Sequence, residues 1–229
     1  MPIILAVGGL LLLALVFGPQ LWIKRVLVRH GAERPDLPGN GAELARHLLD
    51  EAGLQAVTVE VTDAGDHYDP ETRTVRLTRS HHDGRSIAAV AVAAHEVSHA
   101  VQHARGEPGF ARRVALIRKL HFIERLASGV LLLAPIVFLF AHAPALLALQ
   151  LAAGLALLAI RVVVHAATLP VEFDASFAKA LPALEAGRYL RSDDMPAARH
   201  VLQAAAFTYV AAALATLLDV VRWFRMLRF

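Results

Sequence analysis

The feature that most constrains the fold of this chain is an uncharged run of 35 residues, 126–160, which contains no Asp, Glu, Lys or Arg. A single helix of that length would be about 52 Å long, whereas the hydrocarbon core of a bilayer is about 30 Å thick. The run must therefore turn, and the turn is expected at Ala141-His142-Ala143-Pro144. The sequence predicts two apolar helices, roughly 126–141 and 145–167, joined by a tight hairpin.

Two further apolar segments extend this pattern. Residues 2–23 carry no charge and are followed at once by Lys24 and Arg25, and about 20 apolar residues suffice to cross a bilayer. A cleaved signal peptide is the competing interpretation, but the basic segment that precedes the apolar core of such a peptide is missing. Residues 201–218 form a weaker candidate because they are rich in Ala and include Thr208 and Tyr209.

The segment with the clearest chemistry is His95-Glu96-Val97-Ser98-His99, the His-Glu-x-x-His pattern of helical zinc sites in metallopeptidases. Residues four apart on a helix lie on one side of it, about 6 Å apart. His95 and His99 can therefore reach one ion. Glu96 lies about 100° further round the helix, where it can accept a proton from a water on that ion.

A small sheet is predicted directly before the motif helix. Residues 57–62 alternate and are rich in β-branched side chains, and residues 72–78 are the expected partner strand, with a turn at 67–70 between them. The motif helix is expected to begin after Asp83 as its N-cap and to end at Gly106.

A catalytic zinc site needs a third protein ligand, and the absence of cysteine leaves His or a carboxylate to supply it. His103 lies four residues beyond His99, but a rigid helix carries it one turn further from the ion, which favours a supporting or surface role. Glu172 follows an apolar run and would lie at the same membrane face as the motif helix. The spacing of Glu172 is equally consistent with a surface acid of a short amphipathic helix. The choice of the third ligand therefore stays open at this point.

Three motifs together resemble a known family. They are His95-Glu-Val-Ser-His99, then Asp66-His-Tyr-Asp-Pro70 with Thr74-Val-Arg-Leu77, and finally Leu169-Pro-Val-Glu-Phe-Asp-Ala-Ser176. They look like the YugP-type family of neutral zinc metallopeptidases of bacterial membranes, and the resemblance covers nearly the whole chain. The order of metal helix, membrane hairpin and acidic motif is also similar to the membrane gluzincins of the HtpX and CAAX prenyl protease class.

The resemblance implies one Zn²⁺ per chain, with His95, His99 and Glu172 as ligands and Glu96 as the catalytic base. The chain departs from the HtpX-like motif at Ser176, where that motif has an Asp. Another group would then orient a ligand histidine, and Asp174 or Asp69 is the candidate.

The resulting prediction is an α+β membrane protein, mainly α-helical, with about four transmembrane helices and a small zincin-like catalytic region. Basic residues beside apolar segments favour the cytoplasmic face, which makes the chain a multi-pass protein of the cell membrane with its site facing the cytoplasm. The predicted regions are an anchor at 1–23, a catalytic region at 24–125, a transmembrane hairpin at 126–168, a third-ligand segment at 169–200 and a last transmembrane helix at 201–221.

The predicted function is a membrane-bound zinc metalloendopeptidase whose partners are the lipid bilayer and a peptide or membrane-protein substrate. No motif for nucleic acid is present, and anchoring explains the net charge of +3. An extended peptide could pair with an edge of the small sheet. The residue that stabilises the oxyanion stays open, with the candidates His67, His81, His82, Tyr209 and several Arg.

Two alternatives remain. One is an intramembrane site-2-type zinc protease, whose third ligand is an Asp in Leu-Asp-Gly; Leu218-Asp219 is present here, but Val220 follows it. The other is a non-catalytic metal-binding membrane scaffold. Glu96 argues against a scaffold, because ligation by two histidines does not need that acid.

Overall fold

The computed structural model describes residues 2–141 and 144–214, and it describes their side chains except at 2–6, 9, 12, 126–148, 150–151, 154–155 and 158. The chain forms two compact units. The first comprises residues 19–111 and 169–208 and contains the motif helix. The second comprises residues 1–18, 112–168 and the chain from Tyr209 onward.

The chain is mainly helical with one small sheet. Its elements are α1 (Pro2–His30), α2 (Gly41–Glu51), β1 (Thr58–Thr62), β2 (His67–Asp69), β3 (Thr74–Thr78), α3 (Arg79–His82), α4 (Ile87–Ala104), α5 (Pro108–Ala141), α6 (Pro144–Phe173), a π-helix (Asp174–Ala180), α7 (Leu181–Ala186), a 3₁₀ turn (Ser192–Asp194) and α8 (Met195–Ala206). Residues 208–214 are again helical.

The prediction of about four transmembrane helices, and with it the multi-pass topology, is wrong. Within residues 2–141 and 144–214, no helix is both long enough and apolar enough to cross a membrane. The prediction relied on uncharged runs in the sequence, whereas a span requires one continuous helix of sufficient apolar length. The predicted last segment, 201–221, lies outside the described residues beyond position 214.

The break in the long uncharged run falls where it was predicted. Helix α5 ends at Ala141 and helix α6 begins at Pro144, while residues 142 and 143 lie outside the described part of the chain. Proline suits the first position of a helix, because its missing N–H would have no partner there.

The three-stranded sheet has the order β1-β3-β2. β1 pairs with β3 in parallel, and β2 pairs with β3 in antiparallel fashion with Tyr68 opposite Val75. Residues 67–70 are therefore not the predicted turn, because 67–69 form an edge strand. The prediction failed because two consecutive strands were expected to form a hairpin, whereas the parallel pairing of β1 and β3 leaves the segment between them to build β2.

Helix α4 is the centre of the first unit. Every residue from Ile87 to Ala100 is buried, and the helix contacts α2, α3, α8, the π-helix and the strands β2 and β3. It ends as predicted, since Gly106 follows its C-cap with φ +62°, in the left-handed region that favours glycine. The predicted N-cap, Asp83, is wrong. Ser86 caps the helix instead, and its hydroxyl accepts a hydrogen bond from the Ala89 N–H at 3.0 Å.

Replacing this cap gives the first testable prediction. Ser86→Ala is expected to lower the free energy of unfolding by about 1 kcal/mol, because the Ala89 N–H loses its acceptor in a buried position. Asp83→Ala is the matched control, since Asp83 lies outside the helix and makes only exposed ion pairs, and its effect is expected to stay within about 0.5 kcal/mol. Urea unfolding followed by circular dichroism measures both. A larger loss in Asp83→Ala than in Ser86→Ala would contradict the assignment.

Candidate metal centre

Three buried side chains converge in the first unit. The Nε2 atoms of His95 and His99 each lie 3.2 Å from Oε2 of Glu172, and one ligand atom from each of the three residues lies within 4.8 Å of the others. The exposed fractions are 3% for His95, 2% for His99 and 0% for Glu172. The structure therefore brings together the three residues that the sequence and the family resemblance proposed as ligands.

The two histidines come from one helix and the acid from another. His95 and His99 are one turn apart on α4, so their rings are neighbours with centroids 4.8 Å apart. Glu172 lies in the last turn of α6, directly before the π-helix. π-Helical turns are rare and occur often at functional sites, and here Ala175 and Ser176 of the π-helix are fully buried where it contacts α4.

Ser176 determines the orientation of the His95 ring. Its hydroxyl donates to the backbone carbonyl of Leu202 at 3.0 Å, so its oxygen is left to accept a hydrogen bond from Nδ1 of His95 at 2.9 Å. The ring proton of His95 is therefore on Nδ1. In the neutral imidazole, Nε2 then presents its lone pair toward Glu172.

Gln102 determines the orientation of the His99 ring. Its Nε2 amide lies 3.0 Å from the Val171 carbonyl and 2.8 Å from Oδ2 of Asp174, and both of these atoms only accept. The amide must therefore donate on that side, and its Oε1 accepts a hydrogen bond from Nδ1 of His99 at 2.8 Å. The Nε2 lone pair of His99 also faces Glu172.

This arrangement fits a divalent metal ion. Two nitrogen atoms and one carboxylate oxygen meet in a buried space, where a shared proton or a bound cation must offset the repulsion between their lone pairs. Two imidazoles with a carboxylate are a donor set typical of catalytic zinc, which keeps a further position for water or substrate. Imidazoles held by hydrogen bonds at their other nitrogen are also typical of metal ligands.

The predicted orienting acids are only partly right. Asp174 acts on His99 indirectly, through Gln102. Asp69 belongs to the sheet, where Arg76 donates to it at 2.6 Å; burial works in the opposite direction, but the Arg76 hydrogen bond helps to hold the pKa of Asp69 at about 2. Sequence reasoning missed the direct partners, Ser176 and Gln102, although Gln102 lies three residues after His99 on the same helix, a spacing that brings side chains together.

Glu96 differs from the other polar residues of the motif. It is 8% exposed, and its carboxylate makes no hydrogen bond or ion pair with any described residue, whereas the side chains of His95, His99 and Glu172 are all engaged. A carboxylate at the motif without a protein partner is available to a proton donor from outside the chain.

His103 is turned away from the three converging residues. Its Nδ1 lies 2.9 Å from the Tyr68 hydroxyl of β2, and its ring stacks on Phe110 with centroids 5.5 Å apart. Phe110 also packs against His99, with ring centroids 5.9 Å apart. His103 therefore belongs to an aromatic cluster that supports the outer side of the His99 ring.

The four residues named as candidates for oxyanion stabilisation have contacts outside the three converging side chains. His67 contacts the Gly65 carbonyl, His81 contacts Asp66, His82 contacts Asp83, and Tyr209 accepts a hydrogen bond from Arg113 within the second unit. Burial alone would raise the pKa of the Asp66 carboxyl, but the hydrogen bonds from His81 and Thr78 hold that pKa below its usual value. Asp66 therefore joins the residues before β2 to the end of β3 and to α3. Asp219, the alternative third ligand, lies outside the described residues.

Comparisons with known proteins indicate the family of this chain. The sequence matches the family described as "Putative neutral zinc metallopeptidase" over residues 4–228. It is similar to the "Putative membrane protease YugP" of Bacillus subtilis (strain 168), with 37% identity over 213 residues that cover 92% of this chain and 91% of the relative. No solved structure matches the chain.

Proposed function

The chain belongs to this "putative neutral zinc metallopeptidase" family, and from that premise we propose that it is a zinc-dependent endopeptidase with His95, His99 and Glu172 as the metal ligands. The observation that carries the proposal is the convergence of two oriented Nε2 atoms on one buried carboxylate oxygen at 3.2 Å each. One Zn²⁺ per chain fits this set of donors.

When bound by these residues, zinc would act as a Lewis acid that lowers the pKa of a water to about 7 and polarises a carbonyl. Glu96 is the general base, because it follows the first ligand on the same helix and its carboxylate has no partner among the described residues. It accepts the proton of the attacking water and passes that proton to the leaving amine. His95 and His99 donate from Nδ1 to Ser176 and Gln102, and their Nε2 atoms would bind the metal, so neither ring would have a nitrogen left to accept this proton.

The substrate chain lies along β2. β2 is an edge strand that pairs with β3 on one side, and it joins the motif helix through the contact of Tyr68 with His103. An extended peptide can pair with such an edge through its main chain, which gives affinity with little dependence on sequence. The Bacillus subtilis relative is named a "Putative membrane protease", and this name supports the proposal that the chain acts at the cell membrane on peptides or membrane proteins.

The test is the coupling of metal content to hydrolysis. Purified protein is expected to contain about one zinc per chain by mass spectrometry and to cleave fluorescein-labelled casein. Treatment with 1,10-phenanthroline should remove both the zinc and the cleavage, and added zinc should restore them. Cleavage that persists after complete loss of metal would refute the proposal. Stoichiometric zinc without cleavage of casein or of a peptide library would indicate the non-catalytic scaffold instead.

A further inference from the structure

Gln102 is a buried polar side chain, 1% exposed, in the last turns of α4. Each of its polar atoms has a defined partner. Oε1 accepts from Nδ1 of His99, while Nε2 donates to the backbone carbonyl of Val171 and to Oδ2 of Asp174. One amide thus joins the helix of two proposed ligands to the segment that carries the third.

We propose that Gln102 is the positioning residue of the metal centre, and that it holds both His99 and Glu172 in the geometry of ligands. This inference rests on the metal ligands proposed above. Gln102 keeps the His99 ring in the tautomer whose Nε2 lone pair faces the ion. It also holds the Val171 carbonyl, and because Val171 directly precedes Glu172, that hydrogen bond fixes the turn of α6 from which the carboxylate projects.

The chemistry of the site calls for an amide at position 102. The side chain must accept one hydrogen bond and donate two, and among side chains of this length only glutamine does so. A carboxylate would turn an acceptor toward two other acceptors, the Val171 carbonyl and Asp174. A methionine would fill nearly the same volume but would leave Nδ1 of His99 and the Val171 carbonyl without their partner.

The partner of Gln102 on the π-helix is itself held in place. Lys179 binds both Asp174 and Glu107, the latter at 3.1 Å. Asp174 thus accepts hydrogen bonds from both Lys179 and Gln102. The Glu107 backbone N–H donates to the backbone carbonyl of Gln102 at 3.0 Å. Gln102, Asp174, Lys179 and Glu107 thus form a closed ring of contacts around the end of α4.

The test compares Gln102→Met with Gln203→Met in the full-length protein. Gln203 is an exposed glutamine of α8, so its variant controls for the loss of an amide. Zinc affinity is measured by competition with a chelating dye, and Gln102→Met is expected to bind zinc about 10–100-fold more weakly, while Gln203→Met binds as the wild type does. Gln102→Glu is expected to weaken binding as well, and the added change Asp174→Asn should recover part of the loss by supplying a donor.

A second readout does not depend on zinc. In metal-free protein at about pH 8, above the usual pKa of histidine of about 6.5, ¹⁵N NMR is expected to show the proton of His99 on Nδ1 in the wild type. In Gln102→Met it should be shared between the two ring nitrogens, whereas His95, held by Ser176, should not change. If Gln102→Met does not fold, Asp174→Ala at a half-exposed position is measured instead, with a smaller loss of zinc affinity expected.

Zinc binding as tight as in the wild type, or an unchanged His99 tautomer, in Gln102→Met would overturn the inference. These outcomes are distinct from failure of the proposed function. If the wild type binds no zinc, the proposed ligand set falls, and the tautomer of His99 then decides by itself whether Gln102 orients that ring.

Discussion

Glu96→Gln is expected to keep its zinc and to lose hydrolysis by a factor of about 10²–10⁴, the usual contribution of a general base. The amide has nearly the same shape as the carboxylate, but it cannot accept the proton of the attacking water. Because Glu96 makes no hydrogen bond with the described residues and is not one of the three converging side chains, the substitution should leave the metal centre intact. The measurements are initial rates of casein cleavage and zinc content by mass spectrometry on the same samples.

Glu185→Gln is the matched control for this experiment. Glu185 is an exposed acid of α7, and its side chain has no contact with the proposed site, so both cleavage and zinc content should equal those of the wild type. Full activity in Glu96→Gln would remove Glu96 from the mechanism. Loss of zinc in the same variant would instead make Glu96 a part of the metal centre.

Glu172→Ala is expected to lower zinc affinity by more than the roughly 10–100-fold cost of losing a supporting residue, because it removes a ligand itself. The physical reason is that His95 and His99 alone leave the ion two protein donors where catalytic zinc has three. Thermal unfolding gives an independent readout. At a free zinc concentration of about 100 times the dissociation constant, binding stabilises the folded wild type by about 2.7 kcal/mol, and this stabilisation should disappear in Glu172→Ala.

His103→Ala distinguishes the two candidates for the third ligand. It removes a histidine that contacts Tyr68 and Phe110 rather than Glu172, so zinc should be retained near the wild-type stoichiometry. Zinc that is kept in Glu172→Ala but lost in His103→Ala would replace Glu172 by His103 in the ligand set. Both variants should be examined for helical content by circular dichroism, since each residue packs in or near the core.

Local features of the chain were open to prediction because they depend on neighbours in the sequence. The pairing of His95 with His99 follows from the repeat of the helix, the end of α4 follows from the backbone freedom of Gly106, and the break near Pro144 follows from the length of the uncharged run. The N-cap was missed by three residues, because Asp83 and Ser86 are both suitable capping residues and only the packing of α4 selects between them.

Strand pairing and membrane spans could not be predicted from neighbouring residues in the sequence. The alternation of residues 57–62 indicates a strand, but it does not say whether the partner runs parallel, and the parallel pairing of β1 with β3 turned an expected turn into the edge strand β2. Uncharged runs indicate apolar helices, but whether a described helix is long and apolar enough to span a bilayer depends on where each helix begins and ends.

The sequence by itself thus determined the motif helix, its two histidines and the position of Glu96 beside them, because those residues are related by one helical turn. Only the tertiary structure shows that Glu172, rather than His103, lies beside the two histidines. The contact of His99 with Glu172 joins residues 73 positions apart in the sequence, and no local sequence pattern specifies a contact between residues so far apart. The hydrogen bonds of Ser176 with His95 and of Gln102 with Val171 were decided in the same way, because they require the π-helix and the end of α6 to pack against α4 before the partners meet.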